Sequence, residues 1–240
     1  MSEDAGSPSI GGRKAEASAE TRAALLEAGA AVLREEPVGA VLSQLTARAV
    51  AERAGRTSGA FFHHWRSQAA YHRDLLAWVL DPARIPSTAE AAEAIFGGLA
   101  AGADPVGVLG AAARGNFESV RADPYVPLWN ALWSVHGSDA YVSELLRQNF
   151  RSVTAQVVPL LEAVLAASGR RIRPPFTVDS YAVVITALVQ GLALRVAIEP
   201  ERVPVQPVSG PTDEGSWDLF ASTVVALFDA ITEPATDAPA

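Results

Sequence analysis

Leu45 to Leu76, LTARAVAERAGRTSGAFFHHWRSQAAYHRDLL, is the stretch on which the reading of the whole chain turns. Thr46 suits an N-cap, because its hydroxyl can accept from backbone amides two or three residues on, and Ala47 to Ala54 is a short helix-favouring run. Gly55 can take the left-handed conformation that closes a helix, and Arg56 and Thr57 leave room only for a sharp turn. A second helix is expected from Ser58 to Trp65, with Phe61 and Trp65 on one face against Val50 and Ala54. Ser67 then caps a third helix with Tyr71, Leu75, Trp78 and Val79 on its apolar side, which stops at Asp81-Pro82.

The face of the second helix that does not pack carries Ser58, Gly59, Phe62 and His63. These are small or flat groups that fit a major groove. Counted from Gly55, the chain has Val50 and Ala51 behind, Ser58 and Gly59 ahead, then Phe-His-His-Trp and Ser67. Thr46 to Gln68 resembles the helix-turn-helix of the Tet repressor family of bacterial transcription regulators, whose pattern runs roughly Thr-x-x-x-[Ile/Val]-Ala-x-x-Ala-Gly-Val-Ser-x-Gly-x-[Leu/Phe]-Tyr-x-[His/Tyr]-Phe-x-Ser-Lys. The departures are Arg56 for the turn valine, Phe62 for tyrosine, Trp65 for phenylalanine and Gln68 for lysine. The tyrosine and lysine commonly hold DNA phosphates in relatives, so their loss removes positioning contacts more than base discrimination, and Arg56 offers one back. The resemblance implies a DNA-contacting set of Thr46, Arg48, Arg56, Thr57, Ser58, Gly59, Phe62, His63 and Gln68.

A net charge of −8 is unusual for a DNA binder until the chain is divided at Leu80. Residues 1–80 hold nine basic and nine acidic side chains, and residues 81–240 hold ten against eighteen, so the acidity belongs to the second part. The absence of cysteine excludes disulfides and thiolate metal sites and suits a reducing cytoplasm. Met1 to Ala17 has no apolar stretch of the kind a secretion signal needs. With 49% apolar residues in 240, the chain can bury a sizeable core.

Outward from the motif, residues 1–17 lack periodicity and are expected to be a disordered arm, with Arg13 and Lys14 as its basic pair. A first helix is expected from Ser18 or Ala19 to Glu35, apolar at Leu25, Ala28, Val32 and Leu33, ending at Pro37 and Gly39. Beyond Leu80, alanine-rich segments broken at Ala103 to Pro105, Asp123-Pro124, Gly137 to Asp139, Gly169 to Pro175 and Pro200 to Pro211 predict six more helices and no hairpins. The expected fold is all-α: a helix-turn-helix DNA-binding domain over 18–80 and a helical ligand-binding and dimerisation domain over 81–240.

Within the second domain, the helix from Ala140 to Ala167 has an apolar stripe interrupted by Asn149 and Gln156, and buried amides must meet a partner or a ligand. The segment before it stacks Tyr125, Trp129 and Trp133 at helical spacing. Together with Phe117 these define an expected pocket for a small-molecule effector, with aromatic walls and a few amides. Tyr181 to Ile198 is apolar nearly all round. Asp179, Gln190 and Arg195 argue against a membrane span, and Ala187 and Gly191 permit close approach of a second copy. With Leu194 and with Trp217, Phe220, Val224 and Phe228 of the last helix, they form the expected surface of a homodimer; the resemblance implies the same four-helix arrangement.

The expected function is a DNA-binding repressor, released from a pseudo-palindromic duplex site by a small molecule. The alternative is a helical interaction or ligand-binding module that has lost DNA binding. An enzyme finds little support: no inward Glu-x-x-His pair occurs, His63 and His64 are adjacent and diverge by about 100° on a helix, and no nucleophile, base and acid set is present. No cofactor and no metal are expected.

Overall fold

A computed structural model describes residues 10–35, 45–81, 86–126, 133, 139–203, 208–209 and 216–235, of which 10–14, 33–35, 86–87, 208–209 and 216–217 are described by backbone alone. The chain divides into two compact units, Met1–Leu80 and Asp81–Ala240.

In the first unit, helix α1 (Ile10–Glu35) packs on α2 (Ala47–Arg53), α3 (Ser58–His64) and α4 (Gln68–Val79). α1 begins at Ile10, so the arm expected over residues 1–17 is helical from that point. The lack of apolar periodicity there reports a solvated face: Ala15, Glu16 and Ala17 are exposed. It does not report an unordered backbone, because Arg, Lys, Ala and Glu are good helix formers and extending a nucleated helix costs little. Thr46, Thr57 and Ser67 each accept from the backbone amide three residues on, capping α2, α3 and α4. Gly55, at φ 62°, closes α2, with its own amide bonded to the Glu52 carbonyl and that of Arg56 to the Ala51 carbonyl.

Leu25, Leu26, Val50, Phe61, Trp65, Tyr71 and Leu75 are buried at the centre of this unit. The Tyr71 ring lies 4.8 Å from Phe61 and 4.9 Å from Trp65, and its hydroxyl donates to the Leu25 carbonyl at 2.8 Å. Burial holds that hydroxyl well above the ordinary tyrosine range, so it remains a donor. Asp74 gathers two donors on one oxygen, Arg22 of α1 at 2.7 Å and the Trp65 indole at 2.8 Å, while the Arg22 guanidinium lies 5.5 Å from the Trp65 ring centre. Helices α1 and α4 and the turn after α3 are thereby tied together.

The second unit contains α5 (Pro86–Ala100), α6 (Pro105–Ala122), α7 (Ala140–Ala167), α8 (Val178–Ile198), a short 3-10 turn (Pro200–Arg202) and α9 (Leu219–Ile231). Asp104, Asp139, Thr177 and Asp218 cap their N-termini, and at Thr177 and Ser180 the capping bonds are reciprocal. Gly98 lets α5 close on α6: a Cβ there would stand 2.7 Å from Val108 Cγ2. α6 packs on α7, α8 and α9 around Phe117, Leu161, Val164, Ala182 and Phe228. Helices α7 and α8 are long and apolar enough to cross a membrane by length and composition, but each gives one face to this core.

Two short antiparallel ribbons depart from the expectation of helices alone. β1 (Arg170–Ile172) pairs with β4 (Thr232–Pro234), and β2 (Val208–Ser209) pairs with β3 (Ser216–Trp217). In the first ribbon Arg170 donates to Thr232 Oγ1 at 2.6 Å, and Arg171 faces Glu233 across the strands at 2.6 Å. Partners this far apart in sequence leave no local alternation or turn signal.

Candidate nucleic-acid interface and effector cavity

The burial pattern of α3 separates two faces. Phe61 is fully buried and Trp65, just past the helix, is 3% exposed, whereas Ser58, Gly59, Phe62 and His63 are exposed, Phe62 to 55%. An exposed phenylalanine on a short capped helix is held outward by its neighbours: its ring meets Phe61 edge-on at 5.3 Å, and Phe61 is fixed in the core. His64, half-buried and 5.3 Å ring to ring from His63, is pushed below the ordinary histidine range by burial first and by the neighbouring His63 and Arg22 charges next. Thr46 and Thr57 are both exposed and spend one hydroxyl lone pair on a cap, which leaves the O–H to turn toward a phosphate. Arg56 is exposed in the turn. Arg48 is exposed but already paired with Glu52 one turn on, at 2.8 Å.

Gln68 is the exception in this set. Its amide nitrogen donates to the Leu45 carbonyl at 2.8 Å, and His72 Nε2 lies 3.1 Å from the same oxygen. Gln68 therefore ties the start of α4 to Leu45, the residue ahead of the α2 cap. A lysine's ammonium could reach a phosphate from this position, whereas the shorter amide is drawn inward by a carbonyl that lies outside any helix and needs donors.

In the second unit a cavity of about 100 Å³ is walled by Asn116 and Val120 of α6, Asp123 and Val126 after it, Trp133, Asn149, Val153 and Val157 of α7, Thr186, Val189, Gln190 and Ala193 of α8, and Thr88 of α5. Of the residues expected to line a pocket, Trp133 and Asn149 are on this wall, and Asn149 is 2% exposed. The rest of the expected pocket needs correction. Gln156 is exposed and donates to Ser152 Oγ. The packed stripe of α7 drifts from Asn149 through Val153 to Val157, so the residue beside Val157 turns to the outside. Phe117 is core, 1% exposed, with its ring 5.6 Å from Phe220. Tyr125 is half-buried and is not part of the cavity wall, to which it contributes only by fixing Asp123 through its backbone amide. Trp129 lies outside the described residues.

Sequence reasoning missed Thr88, Asn116, Asp123, Thr186 and Gln190. For two of them a signal existed: Thr186 and Gln190 are four residues apart and polar, in the middle of a helix whose other polar residues, Asp179, Ser180 and Arg195, lie near its ends. Asp123, read as a helix break, ends α6 with its Oδ1 accepting from the Tyr125 amide at 2.8 Å, and burial raises its carboxyl above the ordinary range against that bond.

The expected dimer surface divides in the same way. Ala187 and Gly191 of α8 are exposed and Leu194 is half-exposed, in line with Val183, Val184 and Ile198. Phe220, Val224 and Phe228 are instead core residues of the protomer, at most 2% exposed. The Tyr181 hydroxyl, buried and raised above its ordinary range, donates to the Val224 carbonyl at 2.6 Å and pins that face of α9 inward. An apolar helix of thirteen residues does not announce which side faces its own core. The Trp217 side chain lies outside the described residues.

The fold, with α2 and α3 joined by the sharp turn at Gly55, defines a two-unit helix-turn-helix protein of the all-α class. Residues 105–209 match the family model of the BetI-type transcriptional repressor C-terminal domain. Solved structures with the same fold include a TetR-family transcriptional regulator from a Rhodococcus species at 18% identity and TM-score 0.55, covering 89% of this chain and 98% of the other. A TetR-family regulator from Mesorhizobium loti, at 14% identity and TM-score 0.61, covers 90% and 98%. SmeT, the repressor of a Stenotrophomonas maltophilia multidrug efflux pump, is similar in its complex with triclosan at 18% identity and TM-score 0.58, covering 92% and 98%. No curated protein matches the chain. Residues 105–209 are thus similar to the C-terminal domain of BetI-type transcriptional repressors, and the fold of the chain is that of the solved TetR-family regulators.

Proposed function

We propose that the protein is a dimeric repressor whose α3 helices enter successive major grooves of a pseudo-palindromic duplex site and which a small molecule in the second-unit cavity releases. The observation that carries the reading is the two-sidedness of α3: Phe61 is sealed in the core while Ser58, Gly59, Phe62 and His63 stand free at the helix's open face. Thr46, Arg56 and Thr57, exposed around the turn, are suited to phosphates, and Arg48 joins them once its exposed pair with Glu52 opens. Repression is supported by the description of the matched domain, and a small-molecule site by the triclosan complex of SmeT. A second copy covers the stripe Val184, Ala187, Gly191, Leu194 and Ile198 on α8, together with the outward face of α9 at Thr223, Ala226 and Leu227. A hundredfold loss of operator affinity requires close to 3 kcal/mol of coupling between effector and DNA.

The test is selection of a site from a random duplex pool, followed by affinity measurements over a range of salt. Half-sites spaced by about 10 base pairs or a multiple are expected, with affinity falling as salt rises. His63→Ala should weaken the selected site by about tenfold and random duplex by much less. Failure to enrich any sequence, with no salt-dependent duplex binding, refutes the regulator reading.

A further inference from the structure

We propose that the ligand of the second-unit cavity is a protonated alkylamine, with its ammonium at the Asp123 and Trp133 end and its hydrocarbon chain in the apolar extension toward Ile95 and Phe220. This rests on the reading of that cavity as the effector site.

Asp123 brings a carboxylate to the cavity wall, half-buried at the end of α6. One of its oxygens accepts from the Tyr125 amide, and among the described residues no arginine, lysine or histidine is paired with it. A desolvated anion without a cation is costly, and a ligand ammonium offsets that cost where a neutral ligand does not and an anionic ligand adds to it. Trp133 shares this end, and an indole face attracts a cation through its quadrupole. Gln190, whose side chain makes no hydrogen bond among the described residues, brings to the same cavity wall an amide oxygen that can accept an ammonium N–H.

The hydrocarbon part follows from what adjoins. A second cavity of about 70 Å³ shares Thr88, Asn116, Val157, Thr186 and Val189 with the first. Its remaining wall is aliphatic and aromatic, including Ile95, Leu109, Leu160, Phe220 and Val224. One end thus offers an anion and an aromatic face, and the other only apolar surface. A molecule matching both is charged at one end and greasy at the other.

The test uses the full-length protein near neutral pH, titrated with hexylamine, butylamine, 1-hexanol and hexanoate by calorimetry. Hexylamine should bind about tenfold more tightly than 1-hexanol, and hexanoate more weakly than either. Butylamine, two methylenes shorter, should lose roughly fourfold per methylene. Asp123→Asn preserves the oxygen that accepts from Tyr125; it should bring hexylamine to within about threefold of 1-hexanol and leave 1-hexanol unchanged. Equal binding of amine and alcohol by the parent, a preference that survives in Asp123→Asn, or no binding by any of the four overturns the proposal. Duplex binding on the same preparation separates the two readings. Salt-dependent binding without an amine preference removes the ligand proposal alone, and an intact amine preference without duplex binding removes the regulator reading alone.

Discussion

Gly29 and Tyr71 meet so closely that adding one methyl group should be felt by a hydroxyl on another helix. A Cβ at Gly29 would overlap Tyr71 Oη and lie 3.1 Å from both Tyr71 Cζ and Leu75 Cδ2. The tyrosine cannot swing away, because its ring is fully buried between Phe61 and Trp65. In Gly29→Ala, helix propensity contributes about 1 kcal/mol in favour of the alanine. Against that stand overpacking of about 1–3 kcal/mol and the loss of the hydroxyl's bond to the Leu25 carbonyl, about 1 kcal/mol. A net destabilisation of about 2 kcal/mol is expected. Tyr71→Phe alone should cost about 1 kcal/mol, since only the hydrogen bond goes.

The double variant decides the matter. With the oxygen removed, the methyl meets only the ring edge and the end of Leu75, and the propensity gain offsets that pressure. The pair together should cost about 1 kcal/mol, against about 3 if the two changes were independent. Urea unfolding combined with hydrogen exchange of peptides from residues 15–35 and 68–80 reads the first unit by itself. Additivity within about 0.5 kcal/mol would refute the contact as drawn.

Three further outcomes are expected. Gln68→Ala should lower stability by about 1 kcal/mol and leave the salt dependence of duplex binding unchanged; a shallower salt slope at unchanged stability would make Gln68 a phosphate contact instead of a brace. Asp123→Asn should gain stability over the parent as pH rises. The raised carboxyl binds more protons folded than unfolded above its ordinary value of 3.8, so the parent's stability falls through that window and levels off above the raised pKa, and denaturant titrations at several pH values read the difference. Gly191→Arg, on an exposed turn of α8 with open space at its Cα, should yield folded monomers in sedimentation; an unaltered dimer would move the interface off this helix.

The local grammar of the first unit was legible residue by residue. Thr46, Gly55, Thr57 and Ser67 cap or close helices through bonds to amides and carbonyls a few positions away, and such bonds need no other part of the chain. The same short-range logic separated Phe61 and Trp65 from Ser58, Phe62 and His63, because three and four residues mark one side of a helix. It also carried the breaks at Ala103 to Pro105 and Gly169 to Pro175 in the second unit, while the helix expected before Gly137 lies outside the described residues.

Tertiary structure decided which side of an apolar helix is inside. Phe220, Val224 and Phe228 satisfied every local requirement for an intermolecular surface, and only the approach of α6 and the Tyr181 hydroxyl assigned them to the protomer core. Gln156 and Asn149 looked alike on one stripe until the drift of that stripe toward Val157 separated them, and Asp123 looked like punctuation until the folded chain set its carboxylate in a cavity wall. Helix periodicity fixes relative angles along one element. The absolute orientation of that element is set by neighbours many residues away, and burial, cavity walls and the partners of a lone charge all depend on it.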